Sequence, residues 1–134
     1  MRKRAIFVSL VVALLIAVAI QAGADNAAAP LSTPELRQML SSGKQTLVFF
    51  LNPNGGPCKS QNEILLKLLK DRKNNFNVAY VSAMIPENQK AFYDYGVRSL
   101  PSIVLVDQAG KISRVFPPGI QTYDALAAAL DKVK

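Results

Sequence analysis

Residues 46–59 read Thr46-Leu47-Val48-Phe49-Phe50-Leu51-Asn52-Pro53-Asn54-Gly55-Gly56-Pro57-Cys58-Lys59. Thr46 to Leu51 is an apolar run of strand length and β-forming composition, the pattern of a central strand covered on both faces. Asn52 to Gly56 ends it, because each of these residue types favours a turn. From Pro57 the spacing changes to that of a helix: Cys58, Asn62, Leu65 and Leu69 lie on one line, with Ile64 and Leu68 beside them. Strand, tight turn and helix thus follow one another directly, and Cys58 falls in the first turn of the helix.

The rest of the chain is punctuated as clearly. This helix should end near Asn74-Asn75, and Phe76 to Met84 alternates as a second strand. Pro86 to Tyr95 reads as a helix with Ala91, Phe92 and Tyr95 on one face and Gly96 at its stop. Ser102 to Asp107 is another buried strand, and Gln108-Ala109-Gly110 turns it into Lys111 to Phe116 as an antiparallel hairpin. Pro117-Pro118-Gly119 breaks that strand, and Thr122 caps a last helix carrying Tyr123, Leu126, Ala127 and Leu130. Upstream, Thr33-Pro34-Glu35 opens a short helix that stops at Gly43. A β-α-β crossover followed by a hairpin predicts an α/β fold with a mixed four-stranded sheet, helices on both faces and an added N-terminal helix.

The chain starts Met1-Arg2-Lys3-Arg4, continues through Ala5 to Ile20 with Ser9 the one polar residue, and then reads Gln21-Ala22-Gly23-Ala24. A basic start, an apolar middle and small residues before a cleavage point make up an export signal over 1–24. The apolar stretch is shorter than the roughly 20 residues of a spanning helix, which favours cleavage near Ala24 over an uncleaved anchor. The expected organisation is a signal peptide at 1–24, a flexible leader at 25–32 and one domain at 33–134. The product would be periplasmic or extracellular, at a membrane only if the signal stays uncleaved.

Charge and composition narrow the function. The net charge is +7, with 16 basic and nine acidic residues. Cleavage removes three basic and no acidic residues, leaving +4. Lys67, Lys70, Arg72 and Lys73 form the densest basic group, but Asp71 lies inside it and no aromatic interleaving accompanies it. It reads as a solvated helix end, so no nucleic-acid partner is expected. With no His and one Cys, His-based metal sites, Ser-His-Asp triads and internal disulfides cannot be built from this chain. No metal or cofactor is expected.

Three segments in order resemble the thioredoxin family, over about Thr46 to Lys132. The family's Trp-Cys-Gly-Pro-Cys-Lys between strand and helix matches Asn54-Gly55-Gly56-Pro57-Cys58-Lys59. Its Val-x-x-Ile-Pro-Thr segment matches Val97-Arg98-Ser99-Leu100-Pro101-Ser102, and its Asp-x-x-Gly-Lys with a later Gly matches Asp107 to Lys111 and Gly119. The resemblance implies the thioredoxin fold and a cis proline at Pro101 opposite the motif. It also implies a redox-related protein whose site comprises Asn54, Gly55, Gly56, Pro57, Cys58 and Lys59 with Leu100 and Pro101.

The departures from the family matter as much. Its attacking cysteine is Gly55 here, its tryptophan is Asn54, and its buried acid falls at Phe49. A dithiol cycle needs one thiolate to attack and a second thiol to resolve the mixed disulfide, so this chain cannot complete it alone. Cys58 takes the family's resolving position. It is either an inert core residue or, uncovered by Gly55 and favoured as thiolate by the helix start and Lys59, a reactive monothiol. The backbone at Ser99 and Leu100, by resemblance, can pair with an extended polypeptide whether or not residue 55 is Cys. Three readings stand: a polypeptide-binding or redox-related accessory protein, a monothiol thiol-disulfide exchange enzyme acting on a thiol-containing client, and a dimer linked through Cys58.

Overall fold

The computed structural model describes residues 26–132; the expected signal lies outside them. Helix α1 spans Pro34–Leu40 and is capped as the sequence suggests, with Thr33 Oγ1 accepting from the Leu36 N–H at 3.1 Å. Strand β1 (Thr46–Leu51), helix α2 (Gly56–Asp71) and strand β2 (Asn77–Ser82) form the crossover unit. Helix α3 (Gln89–Asp94), the hairpin of β3 (Ser102–Val106) and β4 (Ile112–Val115), and helix α4 (Tyr123–Lys132) complete the order. The sheet runs β2-β1-β3-β4, with β1 parallel to β2 and antiparallel to β3, and β3 antiparallel to β4. This is the mixed four-stranded α/β architecture that the sequence predicts.

The apolar run of β1 explains why it lies inside. Leu47 and Phe49 point into a core with Leu65 and Leu68 of α2 and Leu126 and Leu130 of α4. Val48 and Phe50 point the other way, toward Leu36 and Leu40 of α1 and Ala91 of α3. All four of these β1 side chains are fully buried. Burial of a Leu or Phe is worth about 1.5–3 kcal/mol, so β1 anchors both layers.

Three details differ from the sequence reading. The predicted helix over 86–95 is a 3₁₀ turn at Pro86–Asn88 followed by the shorter α3. The second strand stops at Ser82, and 83–84 form a turn. Within the stretch read as a leader, residues 27–32 contact the domain. The Ala29 N–H donates to the Gly110 carbonyl at 2.9 Å, and the Ile112 N–H to the Ala27 carbonyl at 2.8 Å. Tyr95 donates its hydroxyl to the Pro30 carbonyl at 2.8 Å, and Ser32 donates to Asp94 at 2.6 Å.

Candidate functional site

The turn after β1 is held by its own backbone and by one side chain. The Gly55 N–H donates to the Asn52 carbonyl at 3.0 Å, and Asn52 Oδ1 accepts from the Asn54 N–H at 3.0 Å. Gly55 is the N-cap of α2 and offers no capping side chain, while the Lys59 N–H closes the first helical bond onto its carbonyl at 3.1 Å. Its φ of −82° and ψ of 131° suit any L residue, so the backbone does not require glycine there.

Cys58 points into the core from this first turn. It is 3% exposed and belongs to the cluster of Phe49, Leu65 and Leu68. Its Sγ accepts from the Asn52 N–H at 3.4 Å. A Cβ placed on Gly55 would lie 3.7 Å from that sulfur and 3.3 Å from the Asn52 carbonyl oxygen, so residue 55 borders the thiol directly. A hollow of about 150 Å³ lined by Leu51, Pro53, Cys58, Lys59 and Asn62 opens beside the sulfur. Asn54, Gly56, Pro57 and Lys59 are exposed around it, and Gly55 is half-buried.

Behind the thiol the surroundings are apolar. Phe49 is fully buried and meets Tyr80 edge-on, with ring centroids 5.8 Å apart. The Tyr80 hydroxyl donates to Asn62 Oδ1 at 2.8 Å, and burial pushes its pKa above the ordinary phenol value. No Asp or Glu is buried among the described residues. A carboxylate that could take a proton from a buried thiol is missing from this side of the site.

The second half of the site sits at the same end of the sheet. Phe50 is paired with Ser102, so the start of β3 lies beside the end of β1 and its turn. The Leu100–Pro101 peptide bond is cis and Pro101 is buried. Leu100 packs against both cores, one of which contains Cys58. The structure thus brings the Gly55–Cys58 turn and the Leu100–Pro101 segment together at one end of the domain.

One residue that the sequence reading passed over joins the two halves. Gln61, one turn after Cys58, is fully buried. Its Nε2 donates to the Gln121 carbonyl at 3.2 Å, and its Oε1 accepts from the Gln121 N–H at 2.6 Å. The loop so held contains Gly119, whose N–H donates to the Pro101 carbonyl at 3.0 Å. The buried line of α2 is Cys58, Gln61, Leu65 and Leu68, whereas the expected line ran through Asn62 and Leu69, which are half-buried. A polar residue at helical spacing among buried apolar ones was the signal that could have found Gln61.

Compared with known proteins, residues 34–134 match the thioredoxin-like domain family. The chain belongs to that family. Among solved structures, this thioredoxin-like domain superimposes on an uncharacterised thioredoxin-like protein from Clostridium perfringens with a TM-score of 0.63 and 22% identity, over 68% of this chain and 71% of that one. It also superimposes on a structure described as a malarial protein, with a TM-score of 0.58 and 19% identity, over 67% of this chain and 97% of that one. At these identities the likeness shows the thioredoxin-like fold.

Proposed function

We propose that this is an exported thioredoxin-like protein that binds extended polypeptide across Gly55–Cys58 and Leu100–Pro101 and does not carry out dithiol exchange by itself. The observation that carries this reading is the state of the one sulfur: Cys58 is 3% exposed and hydrogen-bonded to the Asn52 N–H, with Gly55 where a second thiol would stand. A thiol that must react as an exposed thiolate is poorly served by such a place. Pairing with a peptide backbone at Ser99 and Leu100 requires no thiol. Titrating the isotope-labelled domain with a short, cysteine-free extended peptide tests it. Amide shifts should include 54–58 and 99–102, and their absence from both segments would overturn the reading.

A second reading is favoured by the hollow beside the sulfur. In it, Cys58 acts as a monothiol: its thiolate displaces one sulfur of a client disulfide, which leaves as a thiolate, and a thiol of a second protein resolves the mixed disulfide. Trapping a mixed disulfide on the folded protein with an aromatic disulfide reagent would favour this over the first reading. The depth of the sulfur weighs against both the monothiol and a Cys58-linked dimer.

A further inference from the structure

Two adjoining hollows extend from the Leu100–Pro101 segment along the end of α3 and the β3–β4 hairpin. One, of about 290 Å³, has Phe92, Tyr93 and Val97 among its walls; the other, of about 190 Å³, has Val97, Val115 and Pro118. They share Gly96, Val97 and Arg98, and so form one groove. Ser99 and Ser102, which flank Leu100-Pro101 in the chain, both line it. Tyr93 is 86% exposed and Val115 66% exposed, which leaves apolar surface open on both sides of the shared centre.

Arg98 is the one charged side chain lining either hollow. It has neither an ion pair nor a side-chain hydrogen bond among the described residues. The carboxylate four residues before it, Asp94, is already taken, by Lys90 at 2.8 Å and by Ser32 at 2.6 Å. A guanidinium presents a planar fork of donors that matches a carboxylate in a bidentate way, and its charge-assisted bonds are about twice as strong as neutral ones. Apolar walls around one uncommitted arginine complement a chain segment that carries an acidic residue between apolar ones.

We infer that a polypeptide bound at Leu100–Pro101 continues into this groove and places an Asp or Glu side chain on Arg98, with apolar neighbours against Tyr93, Val97 and Val115. The inference rests on the polypeptide-binding reading and adds the chemistry of the ligand. The probes are three short cysteine-free peptides of extended, apolar sequence that differ only at a central Glu, Gln or Lys, titrated into the labelled domain. The Glu peptide should shift the amides of 96–99 and Val115, and should bind about tenfold more tightly than the Lys peptide. Arg98→Glu should reverse that order, and Arg98→Lys should keep part of it; Arg98 is exposed, so both variants keep the fold. Equal affinity of all three peptides, with shifts confined to 54–58 and 99–102, would overturn the acidic preference and leave the polypeptide-binding reading standing. No binding by any of them would overturn both.

Discussion

The turn that opens α2 and the segment that opens β3 meet at one end of the sheet, and they differ in what carries their chemistry. In the turn, function in the family rests on side chains, and Gly55 has removed one of the two sulfurs while Cys58 lies in the core. In the Leu100–Pro101 segment, pairing rests on the backbone, and the cis peptide, the Gly119 bond and the Ser99–Ser102 bond are all present. On the proposed reading, loss of a side chain ends dithiol exchange without touching the backbone proposed to pair with a polypeptide. Restoring or loosening either half should break or sharpen this contrast.

The largest effect is expected from Gly55→Cys. The position accepts an L residue, and its Cβ would stand 3.7 Å from the Cys58 sulfur, with the Asn52 carbonyl at 3.3 Å yielding slightly. Under oxidising conditions the variant should form an internal disulfide, read as loss of two hydrogens by mass and complete protection of both thiols from alkylation after denaturation. Two free thiols after oxidation would show that the turn has departed from two-thiol geometry.

Gln61→Leu attacks the link between the halves. It leaves the Gln121 N–H and carbonyl without their buried partner, and should cost about 3 kcal/mol in urea unfolding. It should also broaden the amide signals of 119–121 and Ser102 before those of α1. A loss under about 1 kcal/mol would show that the loop holds without the clamp.

Two smaller changes lie away from the shared end and serve as controls. Tyr95→Phe removes the hydroxyl bond to Pro30 and should cost about 1 kcal/mol at neutral pH. Burial first, and the Asp94 charge second, hold the Tyr95 phenol above its ordinary range. The unfolded chain therefore ionises first, so the stability contributed by this residue is fully present below about pH 10 and the hydroxyl increasingly opposes folding as pH rises further. The Phe variant should lack that share of the alkaline loss in pH-dependent unfolding. Thr46→Val, at the far end of β1, removes a buried hydroxyl with no hydrogen-bond partner and should raise stability by about 1 kcal/mol. Neither control should alter the response of Cys58 to alkylation.

Much of this layout is legible in the chain itself. The apolar run 46–51, the turn residues 52–56 and the hairpin turn at 108–110 mark the strands because turn chemistry and burial act locally. The family motif likewise locates Cys58 and Pro101 by spacing along the chain. What the chain hides is non-local: the Gln61 clamp depends on a loop 60 residues away. The contacts of 27–32 depend on Gly110, Tyr95 and Asp94, whose nearness is created only by the fold. The groove around Arg98 is similar, since Val115 and Tyr93 meet it from separate elements. The shift of the buried line from Asn62 to Gln61 has another cause: the two lie about 100° apart on the helix, within the breadth of one apolar face.

The central claim concerns the one sulfur, and its reaction with an alkylating reagent tests it most directly. On the folded protein at neutral pH, Cys58 should remain unmodified over a time in which the urea-unfolded chain reacts completely, as its 3% exposure requires. Fast modification of the folded protein, at a rate matching or exceeding that of the unfolded chain, would contradict the account and make Cys58 a working monothiol.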